Sequence, residues 1–257
     1  MEEDAIAVSL LGGTGVGKTS LIRFLNGLPF DANLPPSHQI EQSLITLKRM
    51  NQNQRLRVWD ICSEFMSMSC ASLYYTHSEI ILLCYAINDA SSYDFAVNVW
   101  AEVKRNTVND PNIVFLFVGM KKDMDDEREV PVSKARHFAE YNGMVFYEIS
   151  LLSGVESVQL CNAMMTLLYQ TRSVRIGYLL QACSIQLFFK RAKDKNRAES
   201  LQAQLRKNPY STIYYKLTEK ELEEEMDRLI GLYMELQEQK GEAGYRCMFS
   251  EPFGIVP

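Results

Sequence analysis

The sequence predicts a three-layer α/β domain followed by a helical extension. Three observations support this prediction. Strand and helix patterns alternate over residues 5–170, two of the strands are almost continuously apolar, and a glycine-rich segment joins the first strand to the first helix. Such alternation is typical of a mostly parallel sheet with helices packed on both of its faces.

The predicted elements follow one another in a regular order. The runs 79–87 and 113–119 are nearly all apolar, as expected for central strands that are covered on both faces. The predicted strands are 5–11, 43–50, 55–61, 79–87, 113–119 and 144–149, with a polar turn at 51–54. The predicted helices are 21–26, 91–107 and 155–170.

From Ser173 onward the strand pattern ends and charged residues cluster by sign. Residues 190–197 are basic, whereas residues 219–227 are acidic. We therefore expect a first domain at 1–172 and a helical extension at 173–257.

The composition excludes several classes of protein. With 257 residues, 47% of them hydrophobic, the chain is neither disordered, collagen-like nor a small disulfide scaffold. A net charge of −5 gives no reason to expect nucleic-acid binding. The six cysteines lack the spacing of a zinc site, and no signal peptide or apolar stretch of membrane-spanning length is present. We expect a soluble cytoplasmic protein.

The strongest chemical signal is a complete G-x-x-x-x-G-K-[ST] motif. Its backbone N–H groups, together with the N-terminus of the following helix, are suited to bind phosphate oxygens. Lys18 would reach the β- and γ-phosphates, and the Thr19 hydroxyl would bind Mg²⁺. The motif consists of Gly12, Gly13, Thr14, Gly15, Val16, Gly17, Lys18 and Thr19, and Ser20 follows it. The alternative, a glycine-rich turn that binds nothing, is disfavoured because the full motif lies directly between an apolar strand and a helix.

Five further motifs follow this loop in a characteristic order. They are Phe30, Pro36-Ser37, Trp59-Asp60, Gly119-Met120-Lys121-Lys122-Asp123 and Glu148-Ile149-Ser150. With these motifs, residues 5–170 resemble the Ras-like small GTPase superfamily, most closely its Rab and Rho branches. The resemblance implies a six-stranded, mostly parallel sheet that binds GTP or GDP with Mg²⁺.

The resemblance also implies a metal site and two switch segments, at 30–42 and 60–76. Thr19, Ser37 and Asp60 correspond to the family's metal-binding positions. Lys18, Ser37 and Glu64 correspond to the positions that assist hydrolysis. Effector or regulator proteins are expected to contact the switch segments.

Switch II departs from the family pattern at two positions. Ser63 replaces a glycine whose N–H binds the γ-phosphate, and Ser63 lacks that glycine's freedom to move. Glu64 replaces the glutamine that orients the attacking water, and a carboxylate is repelled by the developing negative charge. Slow hydrolysis is expected. The effect of Thr14 stays open, because Thr14 could obstruct an arginine finger, yet Rab-like members commonly carry serine there.

The base-binding motif is altered as well. Asp123 retains the two oxygens that accept from guanine, and the stem of Lys121 can pack over the base, as can the aromatic ring of Phe30. Met120 replaces an asparagine that binds the base and ties its loop to the phosphate loop. Leu151, after Ser150, adds bulk near the guanine. We expect guanine selectivity with weakened affinity.

The extension has two features of its own. Thr218 and Glu221 form a capping box, and apolar residues recur as a short coiled-coil-like seam over 219–239. This segment is either an ordinary amphipathic helix or a site for a partner helix. The apolar run with its basic end at 174–197 either continues the last helix of the domain or contacts a membrane surface. No prenylation or myristoylation motif is present.

Two functions remain under consideration. The first is a slowly hydrolysing GTP-binding switch in signalling or trafficking, and the second is a pseudo-GTPase scaffold that presents its helices to a protein partner. An ATP-using kinase is disfavoured by Asp123. The three histidines, His38, His77 and His137, are widely separated and are assigned no role.

Overall fold

The computed structural model describes residues 5–48, 53–67, 71–107, 110, 112–191, 205–209, 213–214 and 216–241. These residues form two compact units, one ending at Leu168 and the other beginning at Tyr169. The predicted boundary at 172/173 falls close to this division, within a continuous helix.

The first unit contains a six-stranded sheet with the spatial order β2-β3-β1-β4-β5-β6. Among the described strands, β2 and β3 pair antiparallel and every other pairing is parallel. The predicted six-stranded, mostly parallel sheet is confirmed. The strands are β1 (Ala5–Gly12), β2 (Glu41–Lys48), β3 (Asn53–Asp60), β4 (Ile80–Ala86), β5 (Val114–Met120) and β6 (Val145–Glu148).

The α-helices of the described residues occur in both units. They are α1 (Lys18–Leu25), α2 (Ser72–Tyr75), α3 (Ala90–Thr107), α4 (Val132–Tyr141), α5 (Val155–Arg191) and α6 (Glu219–Gly241). Two short 3-10 helices span Ser63–Ser67 and Lys122–Glu127. None of the helices in the described residues is both long enough and apolar enough to cross a membrane.

The apolar runs at 79–87 and 113–119 do form the central strands. Every residue of β4 is buried, and β5 is buried except at one partly exposed position. Leu10, Leu82 and Leu116 lie side by side across β1, β4 and β5. The carboxyl ends of these parallel strands therefore meet along one edge of the sheet, where α/β folds bind their ligands.

Most predicted element boundaries differ from the structure by one to three residues, as the start of α1 and the turn before β3 illustrate. Helix α1 begins at Lys18 rather than at residue 21, because the chain enters the helix directly from Gly17. The connection between β2 and β3 comprises residues 49–52, two positions earlier than the predicted turn at 51–54, because Asn53 already pairs with Lys48 at the start of β3. Residues 51 and 52 lie outside the described residues.

Helix α5 continues without a break from the predicted helix at 155–170 to Arg191. In the second unit, its residues Ile176, Leu179 and Ala182 are buried. This result agrees with the interpretation of 174–189 as a continuation of the last helix. Residues 192–197 of the basic segment lie outside the described residues.

Helix α6 begins at the predicted capping box. The backbone N–H of Thr218 donates to Oε2 of Glu221 at 2.7 Å, and the backbone N–H of Glu221 donates to Oγ1 of Thr218 at 3.3 Å. Leu222, Leu229 and Leu236 of the apolar seam are all buried within the chain. The seam is therefore covered by the chain's own residues, as expected for an ordinary amphipathic helix.

Candidate functional site

The phosphate loop is a tight turn between β1 and α1. A β-carbon at Gly12 would lie 2.2 Å from the carbonyl oxygen of Cys84 in β4, so a larger residue cannot fit without moving the backbone. Gly17 has a φ of 107°, which side chains rarely permit. The glycines of the motif thus allow the loop to pass close to the sheet and then turn into the helix.

Lys18 is buried beneath this loop. Its Nζ donates to the carbonyl oxygens of Gly12 and Gly13, each at 2.9 Å, and the side chain is almost fully buried. Burial lowers the pKa of Lys18, and the nearby carboxylate of Asp60 partly opposes that shift. Because an ammonium has three N–H groups, one remains for an anion in the cleft above the loop.

A cleft of about 270 Å³ lies at the carboxyl edge of the sheet. It brings together most of the residues predicted to bind nucleotide: Thr14, Gly15, Val16, Gly17, Lys18, Thr19, Ser20, Phe30, Ser37, Ser63, Met120, Lys121, Asp123 and Leu151. It is also lined by Met124 and by residues of the 31–36 segment, which sequence analysis placed in switch I without individual roles.

The predicted metal-binding residues are only partly assembled. The hydroxyl of Thr19 donates to Oδ2 of Asp60 at 2.5 Å, while the hydroxyl of Ser37 donates to the carbonyl oxygen of Gln39 at 3.1 Å. Asp60 is buried, and its Oδ1 has no hydrogen-bond partner among the described residues. An unpaired buried carboxylate oxygen beside a hydroxyl is a donor set that suits Mg²⁺, which prefers oxygen ligands. The residues present therefore fit this metal.

Side chains of switch II contact both the phosphate loop and switch I. The hydroxyls of Thr14 and Ser63 are hydrogen-bonded across the rim of the cleft. Nδ1 of His38 lies 3.0 Å from Oε1 of Glu64. Sequence analysis assigned no role to His38. Its position beside Ser37, in the segment expected to face switch II, was the available signal.

The base-binding loop is fixed by two neighbouring segments. Oδ1 of Asp123 accepts from the hydroxyl of Ser150 at 2.7 Å, which orients the carboxylate toward the cleft. Ser150, which was predicted to bind nucleotide, does not line the cleft and contacts Asp123 instead. The backbone N–H of Lys122 donates to the carbonyl oxygen of Ile149 at 3.0 Å, which joins the two loops. Lys121 takes the left-handed conformation, with a φ of 63°.

Met120 connects the base-binding loop to the phosphate loop by packing. Its side chain is 1% exposed, and a β-carbon placed at Gly17 would lie 3.3 Å from its Cε. The methyl group thus fills the space beside Gly17. The polar link that the family makes at this position is replaced by an apolar contact.

A further ion pair, which sequence analysis missed, supports the base-binding loop from behind. Arg128 donates to both carboxylate oxygens of Glu148, at 2.8 and 2.9 Å, and also to the carbonyl oxygen of Val130 at 3.1 Å. The bonds to Glu148 raise the pKa of Arg128 most, and the bond to the Asp125 carboxylate adds to this rise. Glu148 was noted only as part of a motif, and its partner is 20 residues away.

Comparison with known proteins agrees with this geometry. The chain is 28% identical over 164 residues to "Ras-related protein RABA4b" of Arabidopsis thaliana, covering 64% of this chain and 72% of that protein. It is 32% identical over 157 residues to "Ras-related protein Rab-31" of Homo sapiens, covering 60% of this chain and 78% of that protein. A family model described as the Ras family matches residues 7–170. The chain is therefore a member of the Ras family of small GTPases.

Proposed function

We propose that this protein is a guanine-nucleotide switch that hydrolyses GTP slowly and with Mg²⁺. The observation that carries this proposal is a single cleft with a buried lysine, Lys18, at one end and an oriented carboxylate, Asp123, at the other. A lysine ammonium suits phosphate oxygens, and a carboxylate suits the N1–H and 2-amino donors of guanine. Relatives named as Rab proteins support a role in trafficking or signalling, and we place the protein in the cytoplasm.

The phosphate end of the cleft would work mainly by positioning. Lys18 would hold phosphate oxygens from below, and backbone N–H groups at the start of α1 would surround them. Thr19 and Asp60, with Ser37, would hold Mg²⁺, which neutralises negative charge on phosphate oxygens when bound. Ser37 would first have to leave the carbonyl oxygen of Gln39, to which it donates here.

Slow hydrolysis is expected from the side chains at positions 63 and 64 of switch II. Glu64 offers a carboxylate where an amide would orient water, and it is paired with His38. Ser63 is hydrogen-bonded to Thr14 rather than free to approach a phosphate. Both contacts favour one arrangement of switch II. Because position 64 is a glutamate, its side chain also offers no amide donor to a water molecule.

Partners would contact the switch segments at 30–42 and 60–76. Leu73 in α2 is 69% exposed and Leu44 in β2 is 51% exposed, so apolar surface is available on switch II and next to switch I. Residues 68–70 of this segment lie outside the described residues. A partner for the helix at 219–239 would have to use a face other than the buried seam.

The Thr14–Ser63 and His38–Glu64 contacts also favour a second candidate function. Two side-chain contacts link switch II to the phosphate loop and to switch I. A scaffold that uses the fold to present a fixed surface to a protein partner would need such contacts. Nucleotide would then be a structural ligand or absent.

The nucleotide content of the purified protein separates these functions. The protein is purified under mild conditions, denatured, and its released nucleotide is identified by chromatography. The switch proposal predicts GDP or GTP in an amount approaching one per chain. No released nucleotide, together with no rise in melting temperature on adding GDP or GTP with Mg²⁺, would contradict the switch and favour the scaffold.

A further inference from the structure

The wall of the cleft beside Asp123 has an unusual chemical character. Met120, Met124 and Leu151 line this end, and none of their side chains carries an N–H or O–H group. The methyl group of Met120 lies against Gly17, at the junction of the two loops. At this junction the side chain can pack against a purine but cannot donate a hydrogen bond to it.

The carboxylate of Asp123 can bind only hydrogen-bond donors. It accepts hydrogen bonds and donates none, and Ser150 already occupies part of one oxygen. A guanine that donates its N1–H and 2-amino groups to Asp123 turns N7, an acceptor on its imidazole ring, away from that carboxylate. N7 then faces the side of the pocket that joins the base-binding loop to the phosphate loop, which is where Met120 lies.

We infer that this protein recognises the donor edge of guanine through Asp123 and does not sense N7. Met120 is then a specificity-determining residue. Met120 packs on Gly17 and so connects the base-binding loop to the phosphate loop, but it makes no hydrogen bond to the imidazole edge of the guanine. This inference rests on the proposed guanine-nucleotide binding and adds the atoms that are recognised.

Guanine analogues that differ at single atoms test the inference by equilibrium binding. The probes are GDP, 7-deaza-GDP, in which N7 is replaced by C–H, and inosine diphosphate, which lacks the 2-amino group. Each is titrated with Mg²⁺ into nucleotide-free protein. We expect 7-deaza-GDP to bind within about twofold of GDP, and inosine diphosphate to bind roughly 5–150-fold more weakly.

Two substitutions at the same position serve as matched controls. Met120→Leu keeps an apolar side chain without a donor, so it should leave the ratio of the 7-deaza-GDP and GDP affinities near one. Met120→Asn introduces an amide donor, so it should make 7-deaza-GDP bind roughly fivefold or more weakly than GDP. The melting temperature of each variant without nucleotide checks that it is folded.

The outcomes distinguish the inference from the proposal beneath it. If the wild-type protein binds GDP but binds 7-deaza-GDP at least fivefold more weakly, N7 is sensed and the inference is wrong, although guanine-nucleotide binding stands. If Met120→Leu alone lowers the relative affinity for 7-deaza-GDP, the inference is also wrong. If no guanine nucleotide binds, the proposed function fails and the inference fails with it.

Discussion

His38 and Glu64 join the two switch segments, with Nδ1 of His38 3.0 Å from Oε1 of Glu64. The family places a glutamine where Glu64 stands, and an amide there can donate to water, whereas a carboxylate cannot. The contact therefore ties an acceptor-only group of switch II to switch I. The replacement of the family's glutamine by Glu64 is thus associated with a specific contact between the two switch segments.

Glu64→Gln should raise the rate of GTP hydrolysis by about tenfold or more, because it removes a repulsive charge and restores an amide donor. Single-turnover measurement of phosphate release gives this rate without a contribution from nucleotide exchange. Glu140→Gln makes the same chemical change on the exposed surface of α4 and should leave the rate unaltered. An unchanged rate in Glu64→Gln would show that Glu64 is not the cause of slow turnover.

The buried Lys18 makes nucleotide binding depend on pH. Burial lowers its pKa from the ordinary value of 10.5 in the free protein, and bound phosphate should raise the pKa again. At pH values between the lowered pKa and 10.5, Lys18 has lost its proton in the free protein but keeps it in the complex. Binding there takes up a proton, and affinity falls as the pH rises.

Calorimetry in buffers of different ionisation enthalpy measures this proton uptake directly. We expect more proton uptake at alkaline than at neutral pH, because the free protein loses the Lys18 proton at a pH below the ordinary pKa of lysine. Lys18→Arg, whose guanidinium stays protonated, should lose the effect while still binding. Equal proton uptake at both pH values would be incompatible with a lowered pKa at Lys18.

The Arg128–Glu148 pair should contribute to stability, because its side chains are only 17% and 9% exposed and both carboxylate oxygens are used. Arg128→Met and Glu148→Gln should each lower the free energy of unfolding by about 1–3 kcal/mol. Urea denaturation of both single variants and the double variant gives the coupling between them. The more exposed Lys122–Glu156 pair provides the comparison, and Lys122→Met should cost less than about 1 kcal/mol. Additive effects of Arg128→Met and Glu148→Gln would argue against the pair.

Leu229 tests whether the seam of α6 belongs to the chain's own core. It is 1% exposed, whereas Leu232 of the same helix is 36% exposed. Leu229→Ala should therefore lower the stability of the second unit by about 2–4 kcal/mol, and Leu232→Ala should cost well under half of that. Hydrogen exchange of α6 amides reports this local stability. Equal effects of the two substitutions would show that the buried seam contributes little.

The sequence predicted the sheet and the phosphate loop well because their signals are local. A central parallel strand must be apolar along its whole length, so β4 was recognisable from residues 79–87. The phosphate loop is one continuous motif whose glycines are needed for close approach and positive φ. Helix α5 was likewise visible in its first half, and its continuation to Arg191 was one of two interpretations considered.

Contacts between distant residues were harder to predict. His38 and Glu64 are 26 residues apart, and no pattern in either segment specifies the pair. Met120 was recognised as a lost polar contact, yet its packing against Gly17 depends on how two loops meet at the sheet edge. Ser37 was expected to join Thr19 and Asp60 at the metal site, but its hydroxyl donates to the carbonyl oxygen of Gln39. This contact depends on the local conformation of switch I.

Guanine-nucleotide binding through Lys18 and Asp123 is the central claim, and calorimetric titration of nucleotide-free protein with GDP and with ADP, each with Mg²⁺, tests it most directly. We expect GDP to bind at least about 100-fold more tightly than ADP, because adenine cannot supply the two donors that Asp123 accepts. Lys18→Ala should weaken GDP binding by roughly 100-fold or more, while Lys134→Ala, an exposed lysine on α4, should not change it. Equal affinity for GDP and ADP, or full GDP binding by Lys18→Ala, would contradict the claim.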